Sequence, residues 1–305
     1  MSFKGSEVKY DVIIIGGSYA GLSAAMALGR SLRKVLIIDS GLPCNRQTPQ
    51  SHNFITHDGQ HPAVISATAK SQVLGYKTIK SINDTAVSIS GKNNEFEAVT
   101  LAGKKYDAKK LIFATGVKDI MPNIKGFAEC WGISVLHCPY CHGFEVAGQN
   151  LAVLANGELA FEMGKMIHHW SKNLTILTNG KSTLTTDQTD KLQRNKISII
   201  ENEITSFEHE NGTIKHVVFK DKPAVDFKAI FAKIAFEQHT NIPETLSCEL
   251  TDTGYTKVDD MQRTSVTGIY AAGDNTTPMR ALSAAIAAGT MAGAMMNKEL
   301  INESF

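Results

Sequence analysis

The run His137-Cys138-Pro139-Tyr140-Cys141-His142 sets two thiols two residues apart, flanked by two imidazoles. Sulfurs at that spacing can close a small strained ring and cycle between dithiol and disulfide, and whichever is stabilised as thiolate becomes the nucleophile. Either histidine can take up a proton or supply positive charge, because imidazole titrates in the working range. Cys138-x-x-Cys141-His142 also matches a haem c attachment motif, but that chemistry needs export, and the start from Met1 to Ser6 shows neither the apolar stretch nor the cleavage site of a signal peptide. Half a zinc site is a further alternative; structural zinc usually wants a second pair, and the adjacency of His137 and His142 makes a tetrahedron awkward, so no metal is expected. Pro139 and Tyr140 between the cysteines favour a tight redox turn over a buried inert pair. Cys44, Cys130 and Cys248 have no partner by spacing and read as single thiols; an odd total of 5 argues against a secreted disulfide framework.

The elements around this run are those of an α/β protein. Tyr10 to Ile15 is an apolar run of the kind buried in parallel sheets, Gly16-Gly17-Ser18-Tyr19-Ala20-Gly21 follows directly, and a helix is expected through Leu28. Lys34 to Asp39 then reads as a second strand ending in a carboxylate, which completes a βαβ unit. Lys110 to Gly116 gives another buried strand and a tight turn. Asn150 to Ala160, a helical stretch to about Trp170 and a strand at Leu174 to Leu177 repeat the first layout. Ala229 to Ala235 closes this second unit, and the chain ends in an Ala- and Met-rich helix from about Ser283 to Asn297, whose Met291, Met295 and Met296 read as packing. The expected architecture is two Rossmann-like, three-layer ββα dinucleotide-binding domains, the second inserted into the first: residues 1–118 with 246–305, and residues 119–245 carrying the cysteines.

A formal net charge of +1 over 305 residues, with acidic and basic groups mixed, leaves no footprint for nucleic acid or an anionic membrane. No run is long enough to span a bilayer, so a cytoplasmic protein is expected.

In a dinucleotide fold the first glycine permits the tight turn, the second lets backbone approach pyrophosphate, and the third lets helix and strand pack closely. Gly16, Ser18 and Gly21 hold those places, Ser18 being small where glycine is usual, and Asp39 stands about 20 residues on, where a carboxylate accepts a ribose hydroxyl. A turn-and-packing role is the alternative for a lone glycine fingerprint. Strand, glycines, helix, strand and acid in that order, with the late Ala271-Ala272-Gly273-Asp274, resemble the paired FAD fingerprints of flavoprotein disulfide reductases. With the Cys-x-x-Cys between the two units, the chain from Asp11 to Asn297 resembles the low-molecular-weight thioredoxin reductases, of the class II pyridine nucleotide-disulfide oxidoreductases. The resemblance implies an FAD domain, an inserted NADPH-type domain and a homodimer. It implies Gly16, Ser18, Tyr19, Ala20, Gly21, Asp39, Asn45, Thr115, Gly116, Gly273 and Asp274 as the FAD-binding set.

The second nucleotide unit departs from that family. Ala155-Asn156-Gly157-Glu158-Leu159-Ala160 replaces a Gly-x-Gly-x-x-Ala turn. Thr178-Asn179-Gly180-Lys181-Ser182 falls where NADPH-using relatives carry His-Arg-Arg for the 2′-phosphate, and Ala235 stands where glycine is usual. Asn and Gly cannot supply the bidentate phosphate contacts of arginine, although Lys181 offers a point charge, so NADPH is a doubtful cofactor. The string from Trp131 to Glu145 resembles the dithiol oxidase branch, which closes disulfides in natural products such as gliotoxin and holomycin; ordinary thioredoxin reductases carry an acid where His142 stands. Pro43 to Arg46 and Ser51 to Gly59 also resemble that branch, with His52 and His57 open to either a site role or a packing role.

The resemblance makes Cys138 the outer, interchange sulfur and Cys141 the one nearer the flavin, with His142 as the base for the incoming thiol. The function expected is oxidation of a small dithiol through Cys138 and Cys141 to FAD and dioxygen. Two alternatives are kept. One is an NADPH-dependent reductase of thioredoxin or a small disulfide, and the other is a non-catalytic flavin redox sensor.

Overall fold

Tyr10–Ile15 forms strand β1, in which every residue except Asp11 is buried. An apolar run covered on both faces belongs in the middle of a sheet. β1 pairs in parallel with β2 (Val35–Asp39; Val12 opposite Val35) and with Lys105–Phe113 (Val12 opposite Lys110). The structure, a computed structural model, describes residues 9–305; the reading of Met1 to Ser6 given above lies outside the described residues.

The described residues divide into two units, each an α/β layer structure of Rossmann type. The first holds a seven-stranded sheet in the order Ile79–Asn83, β2, β1, Lys105–Phe113, Glu95–Thr100, Ala86–Lys92, with Ile269–Ala271 also paired to Lys105–Phe113. Helix α1 (Tyr19–Arg30) connects β1 to β2, and the C-terminal helix Leu282–Ser304 packs on it. A Cβ at Gly289 would lie 2.1 Å from the Ala20 carbonyl oxygen and one at Gly293 2.6 Å from that of Ala24, so only glycine permits this approach. Met296 is fully buried beside α1, Met295 is half-buried and Met291 reaches the surface.

The second unit holds a five-stranded parallel sheet in the order Ser198–Ile200, Leu174–Leu177, Leu151–Leu154, Ala229–Ala232, Val135–Leu136, and an antiparallel sheet of Ile204–Glu210, Thr213–Phe219 and Lys222–Val225. Its boundaries differ from those expected: it comprises Gln47–Pro62 and Asp119–Ala235. Residues 47–62 join it because Gln47 donates to the Ala128 carbonyl at 3.3 Å, Ser51 and Gln60 form a bridge, and His52 points at Glu145. Phe236 to Thr245 belongs to the first unit, where Gln238 donates to the carbonyls of Gly254 and Asn275 at 2.9 and 3.0 Å. Among the described residues no helix is long and apolar enough to cross a membrane, and no group of three or more His, Cys, Asp or Glu is placed to hold a metal ion.

Candidate active site

In the first unit the residues expected around FAD gather at the carboxyl ends of the parallel strands, where open α/β sheets bind nucleotides. Gly16 turns out of β1 at φ +103°, and a Cβ there would lie 2.2 Å from the Ala114 carbonyl oxygen, next to Thr115 and Gly116. A Cβ at Gly21 would lie 1.9 Å from the Gly16 carbonyl oxygen, so strand and helix meet at a distance that excludes a side chain. Ser18 occupies the N-cap position of α1 but does not cap it with its side chain, which leaves first-turn amides directed outward beside buried Tyr19 and Ala20. Asp39, at the end of β2, accepts the Gly17 N–H at 3.0 Å. Asn45 hydrogen-bonds the Tyr19 hydroxyl. Gly273 turns at φ +97° against Ala20, and Asp274 follows it.

Asn275 was not legible in the sequence. It is fully buried, its Nδ2 donates to the Phe113 carbonyl at 3.1 Å, and its Oδ1 has no protein partner although it faces the Gly273 turn. A cradle that a Cβ would fill, an uncapped helix start and an orphaned buried acceptor fit FAD.

The second unit's corresponding turn is filled by its own side chains. Asn156 caps the helix Gly157–Ile167 by accepting the Gly157 N–H at 2.8 Å, and it also accepts Thr183 N–H at 2.8 Å while donating to the Lys181 carbonyl at 2.9 Å. The loop after Leu174–Leu177 is thereby tied across the helix start, where a pyrophosphate would have to lie. Glu158 adds an acid to the first turn and accepts from Gln188 at 2.5 Å, and Glu201 accepts from the Ser182 N–H at 2.8 Å. Two carboxylates at this turn, with Asn179, Gly180 and Ser182 in the loop where arginines would clamp the 2′-phosphate, do not fit a nicotinamide dinucleotide phosphate.

The cysteines lie in the second unit. Val135–Leu136 pairs with Ala229–Ala232, and the chain leaves it through His137 into the single-turn helix Pro139–His142, with Cys138 at its N-cap and Pro139 preset for the first helical position. Gly143 is required after it, because a Cβ would lie 2.5 Å from the Pro139 carbonyl oxygen and 2.8 Å from Trp170 Nε1. Both cysteines are free, and the Cys141 thiol donates to Cys138 Sγ at 2.8 Å. That donation, joined by the N–H groups of Cys141 and Tyr140 and opposed by burial, holds the Cys138 thiol down at about 7. The same hydrogen bond, burial, and the charges of Cys138 and Glu145 push the Cys141 thiol up. The thiolate therefore sits on Cys138.

His142 is half-buried. Burial, then the charge of His52, lower its pKa, with Glu145 acting in the opposite sense. The rings of His52 and His142 meet edge to face at 6.2 Å between centroids. His52 Nδ1 lies 3.5 Å from Glu145 Oε1 and 3.6 Å from Asp58 Oδ1. His57 is placed apart, stacked on Phe54 at 5.3 Å and hydrogen-bonded to Thr56 Oγ1. Cys130 and Cys248 are buried thiols with raised pKa values, mainly through burial, and Cys44 is exposed.

Residues 10–290 match the model of the pyridine nucleotide-disulphide oxidoreductase family. The chain belongs to this family. It is 31% identical to thioredoxin reductase tcpT of Claviceps purpurea over 95% of this chain and 94% of that one, and 30% identical to thioredoxin reductase sirT of Leptosphaeria maculans over 94% and 93%. Among solved structures, an oxidoreductase from Agrobacterium tumefaciens superposes with a TM-score of 0.91 at 34% identity, covering 97% of this chain and 99% of that one. HlmI superposes with a TM-score of 0.91 at 28% identity, covering 97% and 94%. As a member of the family the chain is an FAD-dependent oxidoreductase of thioredoxin-reductase-like fold.

Proposed function

We propose that this chain is an FAD-dependent dithiol oxidase, which closes a disulfide in a small dithiol at Cys138 and Cys141 and delivers the electrons to dioxygen. The observation that carries this reading is a contrast within the second unit. The cysteine pair keeps a poised thiolate, whereas the Asn156 side chain and the Thr183 loop fill the turn through which a nicotinamide cofactor would enter.

The cycle starts from the oxidised pair. His142 takes the proton of one substrate thiol, the resulting thiolate bonds to Cys138 Sγ, and the Cys138–Cys141 bond breaks with its electron pair going to Cys141. The second substrate thiol loses its proton and attacks the substrate sulfur held on Cys138, so the product disulfide closes and Cys138 leaves as thiolate. Hydrogen bonds from Cys141 Sγ and from the N–H groups of Cys141 and Tyr140 make Cys138 a good leaving group. The substrate has lost two electrons and two protons, and the pair has gained the electrons. FAD would be held by the turns at Gly16 to Gly21, Asp39, Thr115 to Gly116 and Gly273 to Asn275, and would supply the two-electron acceptor for the reduced pair, with dioxygen as the final oxidant and hydrogen peroxide as its product.

An oxygen electrode with a peroxide assay tests the proposal: one peroxide is expected per dithiol oxidised, with turnover lost in Cys138→Ser and in Cys141→Ser. Wild-type turnover in Cys141→Ser would exclude the scheme. The competing reading, a reductase driven by NADPH, is favoured by the names of tcpT and sirT, and its mark is bleaching of the flavin by NADPH.

A further inference from the structure

Glu145 and Asp58 converge on one nitrogen of His52, which meets the ring of His142 edge-on. They come from separate stretches of the second unit, and Asp58 is itself held. Asp58 also accepts the Asn53 N–H at 2.8 Å, which folds the loop back on itself, and the Ser51–Gln60 bridge closes the base of that loop. The His52 side chain is only 15% exposed, whereas those of Glu145 and Asp58 are 36% and 67% exposed. Of two imidazoles that face each other, a charge on one disfavours a charge on the other.

We propose, resting on the dithiol oxidase reading, that His52 is a positioning residue for His142: held between Glu145 and Asp58, it meets the His142 ring edge-on and keeps it oriented as the base for the incoming thiol. The groups that act on His142 are His52 and Glu145, with Cys141 beside it on the same turn; those that act on His52 are Asp58 and Glu145. Burial adds to the effect of His52 in lowering the proton affinity of His142.

The proton balance follows. His142 accepts one proton from the substrate thiol as that sulfur bonds to Cys138, and Cys141, freed as thiolate in the same single-turn helix, has the proton affinity to receive it. His142 is then neutral again for the second thiol. His52 exchanges no proton in the cycle, which separates its role from that of His142.

The test uses the oxidised holoenzyme and two readouts. In the first, the imidazole signals are titrated by NMR, with His142 assigned by its loss in His142→Gln. In His52→Gln the midpoint of His142 is expected to move up, because a neighbouring positive charge is gone, and in Glu145→Gln it is expected to move down. A purely structural role would not give opposite directions. In the second readout, dithiothreitol bleaches the flavin anaerobically as a function of pH; His52→Gln is expected to slow this step about tenfold at neutral pH, the size usual for a group that orients a reacting ring. Asp58→Asn serves as the second variant should His52→Gln fail to retain flavin, with the same slowing of bleaching expected because it loosens the seat of His52. Unchanged midpoints and rates, or midpoints moving the same way in His52→Gln and Glu145→Gln, would overturn the assignment. The oxidase reading fails separately, if the wild type makes no peroxide from dithiols in air.

Discussion

Cys141 donates its thiol hydrogen to Cys138 Sγ across 2.8 Å, so the two sulfurs of the reduced pair are chemically unequal. Their sequence environments, Pro139 and Tyr140 between and a histidine on each side, are nearly symmetrical. The short helix breaks that symmetry, because Cys138 stands at its N-cap and accepts the thiol hydrogen of Cys141 from the following turn.

Alkylation of the reduced protein by iodoacetamide should therefore begin at Cys138. Thiolate is the reacting form and its fraction rises with pH, so the rate is expected to be half-maximal near pH 7, where the Cys138 thiol titrates at about 7. In Cys141→Ala the largest stabilising hydrogen bond is gone, and the half-maximum should move to higher pH. A wild-type profile with its midpoint at the ordinary thiol value, unmoved in Cys141→Ala, would contradict the assignment of the nucleophile.

Gly21→Ala tests the flavin turn. The new methyl would lie 1.9 Å from the Gly16 carbonyl oxygen, and backbone cannot yield as a flexible side chain would. Overpacking of this kind costs about 1–3 kcal/mol. The variant is expected to purify with little bound FAD, seen in the ratio of visible to ultraviolet absorbance, whereas Gly148→Ala, which strains a backbone at φ +73° in the second unit, should keep its colour. Full flavin content in Gly21→Ala would show that this turn does not hold the cofactor.

Asn156→Ala removes a helix cap and the tie to Thr183. A loss of about 1 kcal/mol in unfolding free energy is expected by denaturant titration. NADPH should still fail to bleach the flavin, since the turn would keep Glu158 and gain no arginine. Bleaching in this variant alone would mean that Asn156 is the sole obstacle.

Lys110 has a fully buried side chain whose Nζ lies 2.6 Å from Glu299 Oε1 and 2.6 Å from Glu303 Oε1, and it also donates to Asn93. Replacing it with Met leaves two facing carboxylates. The expected cost is about 2–3 kcal/mol, below that of a fully enclosed pair because both carboxylates reach solvent. Burial raises the pKa of Glu303, but hydrogen bonds from Lys110, Asn93 and Asn94 outweigh it and leave the value lowered. The stability Glu303 contributes is thus present above its unfolded pKa and lost as pH falls through the folded one, so wild type and Lys110→Met should converge in thermal midpoint on acidification. Equal midpoints at neutral pH would rule this anchor out.

The sequence showed most clearly what rests on short-range pattern. Apolar runs followed by glycines mark β1, α1 and β2 because strand burial and the tight turn both leave local signatures, and Cys138 to Cys141 is visible from spacing alone. Long-range relationships left none. Nothing local says that Gln47–Pro62 leaves the first unit to place His52 against Glu145, or that Asn275 buries an unpartnered oxygen beside Gly273. Lys110 read as the start of an apolar strand, yet its ammonium is matched by two acids 189 and 193 residues on, a pairing only the C-terminal helix brings about. Ala155 showed as a missing glycine, while the use of the neighbouring Asn156 as a cap needed the position of Thr183.

The measurement that bears most directly on the proposed function is anaerobic. The purified yellow protein is mixed with NADPH and, separately, with dithiothreitol, while flavin absorbance is followed. Bleaching by the dithiol alone, reversed on admitting air with formation of peroxide, is the expected result. Rapid bleaching by NADPH would contradict it and make the protein a reductase whose second nucleotide turn opens despite Asn156.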